Sequence, residues 1–160
     1  MNFLKNILLI TIYLLLISTL SSCDKNRVFE ENKQISDQLW NIDEKLSFEV
    51  NVTDTLSNHN FYINVRNADG YPYNNLFLFI TTQFPNGKFA KDTLECILAD
   101  ESGKWLGEGL GDIWDNQIPF KRKVLFPLQG KYIFTLEQGM RAEELPLILD
   151  AGIRIEKQGE

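Results

Sequence analysis

Two stretches of this chain alternate apolar and polar residues too regularly for a helix. "LSFEVNVT" sets Leu46, Phe48, Val50 and Val52 against Ser47, Glu49, Asn51 and Thr53, and "NFYINVRN" does the same with Phe61, Ile63 and Val65. Successive side chains of a strand point to opposite faces, so a period of two predicts strands with one buried and one wet face. Such strands need a second layer over the apolar face. "LFLFITTQF" (76–84) begins apolar on both faces, as a central strand does, and "DTLECILAD" places Leu94, Cys96 and Leu98 on one face. "KVLFPL", "KYIFTLEQ" and "GIRIEK" continue the series, and turn signals separate the runs: "NADGYPYN" (67–74), "FPNGK" (84–88), "DESGK" (100–104) and "LQGK" (128–131). Seven or more short strands at this spacing predict an all-β chain, a single antiparallel β-sandwich of jelly-roll or immunoglobulin-like type. Phe48, Val50, Ile63, Val65, Leu78, Ile80, Leu94, Leu98, Phe134 and Leu136 are its expected inward residues. Only "QGMRAEEL" (138–145) suggests a helix, and Gly139 and Pro146 hold it to a turn or two.

The first residues follow a different rule. Lys5 precedes an apolar run from Ile7 to Ile17, broken only by Thr11 and Tyr13, which is the order of a secretory signal. The run gives way to Ser18, Thr19, Ser21 and Ser22 before reaching the roughly 20 apolar residues that a membrane crossing needs. Leu20-Ser21-Ser22-Cys23 then has the form of a bacterial lipobox, an aliphatic residue and two small ones before a cysteine. An N-terminal anchor that is never cleaved is the competing reading. On the lipobox reading residues 1–22 are a signal peptide, Cys23 is lipidated and becomes the N-terminus, and stable attachment comes from two or more acyl chains. Residues 23–44, polar with scattered Val28, Phe29, Ile35, Leu39 and Trp40, read as a tether that becomes ordered near Trp40, and 45–160 as the sandwich domain.

Cleavage leaves 138 of the 160 residues, one domain's length. It removes one of the 16 basic residues and none of the 22 acidic ones, taking the net charge from −6 to −7. Nucleic acid and anionic lipid are disfavoured partners for a body this acidic. With Cys23 acylated, Cys96 is the remaining thiol and has no intrachain partner.

Catalytic chemistry is hard to assemble from the remaining residues. His59, the one histidine, lies in the loop-like "LSNHNF" and reads as a solvated loop residue; neither a metal site nor a catalytic triad has its usual imidazole partners. "GKWLGEGLGDIWDN" (103–116) is glycine-rich but carries neither phosphate-loop nor dinucleotide spacing. The adjacent carboxylates Asp43 and Glu44, Asp100 and Glu101, and Glu143 and Glu144 read as solvated surface. We therefore expect no enzyme activity, cofactor or metal. Aromatic residues at turns remain: Trp105 and Trp114, with Asp112 and Asp115 as a polar rim, and Tyr71 and Tyr73 around Pro72. Exposed, they would suit a protein partner or a sugar ring; buried, they would plug the open end of a sandwich. Asp54-Thr55-Leu56 and Asp92-Thr93-Leu94 have the form of a periplasmic O-glycosylation acceptor, with Thr55 in a polar loop and Thr93 opening a strand.

"RNADGYPYNNLFLFI", "DTLECILADESGKWLGEGLGDIWDNQIPF", "LFPLQGKYIFTLEQGMR" and "DAGIRIEK", in this order behind a lipobox, resemble the gliding-motility lipoprotein H family (GldH) of Bacteroidetes. The resemblance implies an outer-membrane lipoprotein facing the periplasm, needed by the machinery that moves adhesins along the cell surface and is tied to type IX secretion. It implies lipidation at Cys23 and no catalytic residues; Tyr71 to Tyr73 and Trp105 to Asp115 match without an assigned role. Two functions fit: a docking component that contacts other envelope or gliding-machinery proteins while acyl chains hold it to the membrane, or a glycan-binding module of the cell envelope.

Overall fold

The computed structural model describes residues 25–159; the expected signal peptide and Cys23 lie outside them. Eleven strands form: β1 (Arg27–Gln34), β2 (Leu39–Asn41), β3 (Lys45–Val52), β4 (His59–Ala68), β5 (Asn75–Gln83), β6 (Phe89–Ile97), β7 (Glu108–Leu110), β8 (Ile113–Val124), β9 (Gly130–Gln138), β10 (Glu144–Pro146) and β11 (Ile148–Lys157). They build a five-stranded sheet in the order β1-β11-β4-β8-β7, a four-stranded sheet β3-β9-β5-β6 and a small β10-β2 pair, antiparallel throughout. The long strands pair from the outside inward, β1 with β11, β3 with β9, β4 with β8 and β5 with β6. One long folded hairpin wound into two sheets gives that nesting, which is the double Greek key of a jelly roll rather than an immunoglobulin arrangement.

The alternation decides the core. β3 and β4 are buried at every second residue, and Phe48, Val50, Ile63, Val65, Leu78, Ile80, Leu98, Phe134 and Leu136 are all buried between the sheets, with Leu94 half-buried against them. The turn signals hold as well. Gly87 sits at φ 80, which only glycine adopts without strain, and lets "FPNGK" close the β5–β6 hairpin.

Two sequence expectations are corrected. Residues 27–34 are not part of a loose tether but an edge strand, registered on β11 from Arg27↔Glu156 to Gln34↔Asp150. The alternation is missing there because six of the eight side chains, all but Phe29 and Lys33, remain largely in water, and the strand is held by its backbone ladder. Its approach to β11 is so close that a Cβ on Gly152 would coincide with atoms of Asn32 and Glu31. Trp40, where order was expected to begin, is fully buried, its Nε1 donating to the Glu44 carbonyl at 3.1 Å. Residues 139–143 form bends rather than a helical turn, because buried Gln138 holds them: its Nε2 donates to the Ala142 carbonyl (2.9 Å) and its Oε1 accepts from the Met140 N–H (2.9 Å).

Strand direction gives the molecule two distinct ends. The start of β1, the 53–58, 84–88 and 125–129 loops and the end of β11 lie together at one end; the 35–44, 69–74, 98–107 and 139–147 segments lie at the other. Ten-residue β4 spans the distance, about 33 Å at 3.3 Å per residue.

Leu78→Ala is expected to lower unfolding free energy by about 2–5 kcal/mol, whereas exposed Thr93→Ala stays within about 0.5 kcal/mol. Gly152→Val tests the edge strand: chemical denaturation should show clear destabilisation, and unchanged stability would return residues 27–34 to a tether.

Candidate functional site

A groove of about 690 Å³ crosses the outer face of the five-stranded sheet and turns round its β7–β8 flank toward β6. Register builds it from two cross-strand rows. Asn32, Gly152, Asn64 and Gln117 form one; Gln34, Asp150, Arg66, Asp115 and Glu108 form the other. The floor is low at Gly152, which has no side chain, and the register shift between Ile148 and Asp150 turns the Asp150 carboxylate outward beside Arg66.

Arg66 holds the second row together. Its Nη2 lies 2.8 Å from Asp150 Oδ2 and its Nε 3.2 Å from Asp115 Oδ1. Asp150 is only 4% exposed; burial pushes its carboxyl upward, Arg66 opposes that, and Asp115 adds to it. In the first row Asn64 Nδ2 donates to Glu30 Oε1 (3.2 Å) and Asn32 Oδ1 (3.1 Å). Burial alone would raise Glu30, but Arg27, Arg154 and Asn64 outweigh it and hold the carboxyl below its ordinary range. Two shielded atoms on adjacent outward positions of β4 have no well-directed hydrogen bond: the acceptor Asn64 Oδ1 and the donor Arg66 Nε. Such atoms are rare in native proteins and mark a surface short of a partner. With Glu30 matched by Arg27 and Arg154, the lining still sets Glu95, Glu108, Asp115 and Asp150 against the guanidinium of Arg66, which makes the groove electronegative.

Of the residues singled out from sequence, Asp115 lines this groove, as do Leu106, Gly107, Glu108 and Asn116 from the same glycine-rich segment. The aromatic residues do not. Tyr71 is buried, its hydroxyl donating to the Asn75 carbonyl (3.1 Å) and its pKa raised first by burial. Tyr73 packs edge-on against it and is 41% exposed. Trp105 packs half-buried on the core, with Nε1 donating to Asp69 Oδ1 at 2.8 Å. Trp114 is half-buried and pairs with Gly109, where a Cβ would come within 2.5 Å of the indole, so the ring lies over the β7–β8 hairpin. The glycine-rich segment is thus a hairpin that seats the ring rather than a loop that displays it. Asp112 is exposed at its turn, its carbonyl accepting from Asp69 N–H at 2.7 Å.

His59 is corrected most sharply. It is no solvated loop residue: it opens β4, is 2% exposed, packs edge-on against Phe126 at 5.0 Å, and its Nδ1 has no partner. Burial pushes its pKa down. It stands at the end of the molecule opposite Trp105 and Trp114. Cys96 is fully buried and pushed up to about 12, first by burial. Of the two acceptor threonines, Thr93 is exposed in the middle of β6 rather than at its start, and Thr55 is half-buried beside Asp54, whose Oδ1 caps Leu56 and Ser57 N–H.

The groove was not legible in the sequence because its members come from separate strands. The nearest signal is "LDAGIR", where an aspartate and a glycine interrupt an otherwise apolar strand; an isolated strand glycine marks a close backbone approach.

A model of the GldH lipoprotein family matches residues 27–155, the greater part of the chain. The chain belongs to the GldH lipoprotein family. It is 39% identical over 153 residues to a gliding motility lipoprotein GldH homolog of Christiangramia forsetii, covering 91% of this chain and 93% of that one. It is 36% identical over 154 residues to gliding motility lipoprotein GldH of Flavobacterium johnsoniae, covering 92% and 95%. No solved structure matches it. This chain is therefore a member of a lipoprotein family, and both of these relatives are named for gliding motility.

His59 gives the fold a pH dependence. Burial in the folded state disfavours the charged imidazole relative to the unfolded chain, which binds a proton below about pH 6.5, so the unfolded state takes up more protons there and stability falls as pH descends. The slope from one such site is at most about 1.4 kcal/mol per pH unit. Asp150, raised on folding, acts with the opposite sign from its unfolded pKa upward. Thermal unfolding measured from pH 7 to pH 5 should show a falling midpoint, and His59→Phe should flatten it; an equal slope in the variant assigns the effect to other groups.

Proposed function

We propose that acyl chains on Cys23 hold this protein to the outer membrane, facing the periplasm, where it acts as a non-catalytic docking component of the gliding-motility and type IX secretion-associated machinery. Family membership supports the lipoprotein and motility parts of this reading. The observation that carries docking is the groove, with the shielded acceptor Asn64 Oδ1 left without a partner on β4 beside Arg66, and five carboxylates in the groove lining. These are recognition groups. Arg66 is engaged by two carboxylates, His59 lies buried at the other end and Cys96 is buried and protonated, so a nucleophile and a base do not meet there. The fitting partner is a protein segment with amide or basic donors. Glycan binding has less support, because Trp105, Trp114, Tyr71 and Tyr73 all lie off the groove and leave it without a stacking platform.

Cys23→Ala should abolish labelled-palmitate incorporation; retained labelling would overturn the anchor. In co-purification from detergent-solubilised envelopes, the wild-type protein should retain stoichiometric protein partners. Leu106→Arg combined with Glu108→Lys should lose them by about tenfold or more in affinity, the scale of one hot-spot contact, with the melting midpoint unchanged. Partners kept by this variant would remove the groove from the interface, and retention on polysaccharide in place of proteins would favour the glycan module.

A further inference from the structure

The net charge of −6 conceals a polarised distribution. At the end where β1 begins, residues 25–28, 53–59, 84–89, 121–130 and 156–159 hold seven basic residues against two acidic ones, Asp54 and Glu156. At the opposite end, residues 35–44, 69–74, 98–112 and 139–147 hold ten acidic residues against two basic ones. Ten of the 22 acidic residues are therefore gathered at the end away from the basic one. Some basic charges are already matched: Lys157 pairs with Asp54 (3.0 Å), Lys121 with Asp92 (2.7 Å) and Arg27 with Glu30 (3.0 Å). Lys25, Lys88, Arg122 and Lys123 stand exposed.

The same end presents apolar side chains to water. Leu56 at the tip of the 53–58 loop is 91% exposed, Phe89 66% and Leu125 52%. The loops carrying Leu56 and Leu125 are tied to each other and to the chain's two ends: Gln129 Nε2 donates to the Thr53 carbonyl (3.0 Å), Gln158 N–H to the Asn58 carbonyl (2.8 Å) and Lys157 N–H to the Asn26 carbonyl (2.8 Å). A folded protein has no internal reason to hold a leucine almost wholly in water beside a cluster of uncompensated bases.

Chain length says what covers them. Lys25 follows Cys23 by two steps of the chain, with only Asp24 between them, a reach of at most about 7 Å when fully extended, so an acylated Cys23 puts this end against the bilayer. We propose that the β1-start end of the sandwich is a membrane-seating face: Leu56, Leu125 and Phe89 enter the interfacial region while Lys88, Arg122 and Lys123 contact anionic headgroups. The protein then stands on the bilayer with its long strands steep to it and its acidic end about 30 Å away. This rests on Cys23 as the anchor but goes beyond it, since a lipid tether alone leaves orientation free. It also turns Thr55 toward the membrane, leaving no room for a glycan there.

The test uses the mature lipidated chain in vesicles of phosphatidylethanolamine and phosphatidylglycerol doped with nitroxide-labelled lipid. An environment-sensitive fluorophore is placed on Leu56→Cys, Leu125→Cys or, at the far end, Leu106→Cys; Cys96 is buried and protonated and stays unlabelled. Seating predicts strong quenching at 56 and 125 and little at 106. Each basic residue at an anionic surface contributes about a fivefold factor, so Lys88→Glu with Arg122→Glu and Lys123→Glu should cut the seated population about a hundredfold, with quenching at 56 and 125 falling to the level at 106 and melting unchanged. Equal quenching at all three sites in the wild type, or a pattern indifferent to charge reversal, overturns the seating and leaves the anchor intact. Failure of the protein to float with the vesicles overturns the anchor, and the seating with it.

Discussion

Strand β4 is the member on which the other parts depend. It is paired on both sides, with β11 and with β8, and its alternation assigns each neighbour's faces. Phe61, Ile63 and Val65 turn inward to the core while Asn64 and Arg66 turn outward to the groove. A one-residue slip of its register would exchange these two sets, putting a guanidinium in the core and isoleucine in the groove. The apolar cost of that exchange keeps Arg66 opposite Asp115 and Asp150. The core therefore specifies the site, although the two share almost no side chains.

How much of this was legible in the sequence follows from which interactions are local. β3, β4 and β5 announced themselves because one face is wet and the other dry. β1 did not, because an edge strand held by backbone pairing needs no apolar stripe. His59 and Tyr71 looked like loop residues because each adjoins turn-rich sequence, and their burial is decided by Phe126 and by the core beneath the 69–74 turn, partners distant in the chain. The groove is the extreme case. Its arginine and its two aspartates sit on β4, β8 and β11, and their meeting depends on register, with a bulge before Asp150 that no local pattern encodes. Family resemblance was readable because long motifs survive divergence that rearranges individual contacts.

The two ends of the jelly roll differ because outside-in pairing brings the chain's beginning and its end to the same place. Arg27 and Glu156 are register partners, so whatever is attached before residue 25 emerges beside the loops at 53–58 and 125–129. The glycine-rich hairpin, the buried Tyr71 and the far half of the groove fall at the other end by the same pairing. The proposed anchor and the Arg66 row of the groove therefore lie most of a strand apart without any dedicated spacer, and acidic residues gather at the end remote from the basic one.

That geometry also determines how a pull between anchor and partner would travel. β1 leaves the anchor end in line with its own axis and is held to β11 by seven registered residue pairs, with Arg154 bridging Glu30 and Glu156 across the ladder. A force along that axis shears all the pairs together rather than opening them one after another, so the ladder resists as a unit. The same force then enters β4 through β11, directly beneath Asn64 and Arg66. An edge strand with little buried surface is a poor element for stability, but set in shear between the attachment point and the central strand it is a direct route for tension to the groove.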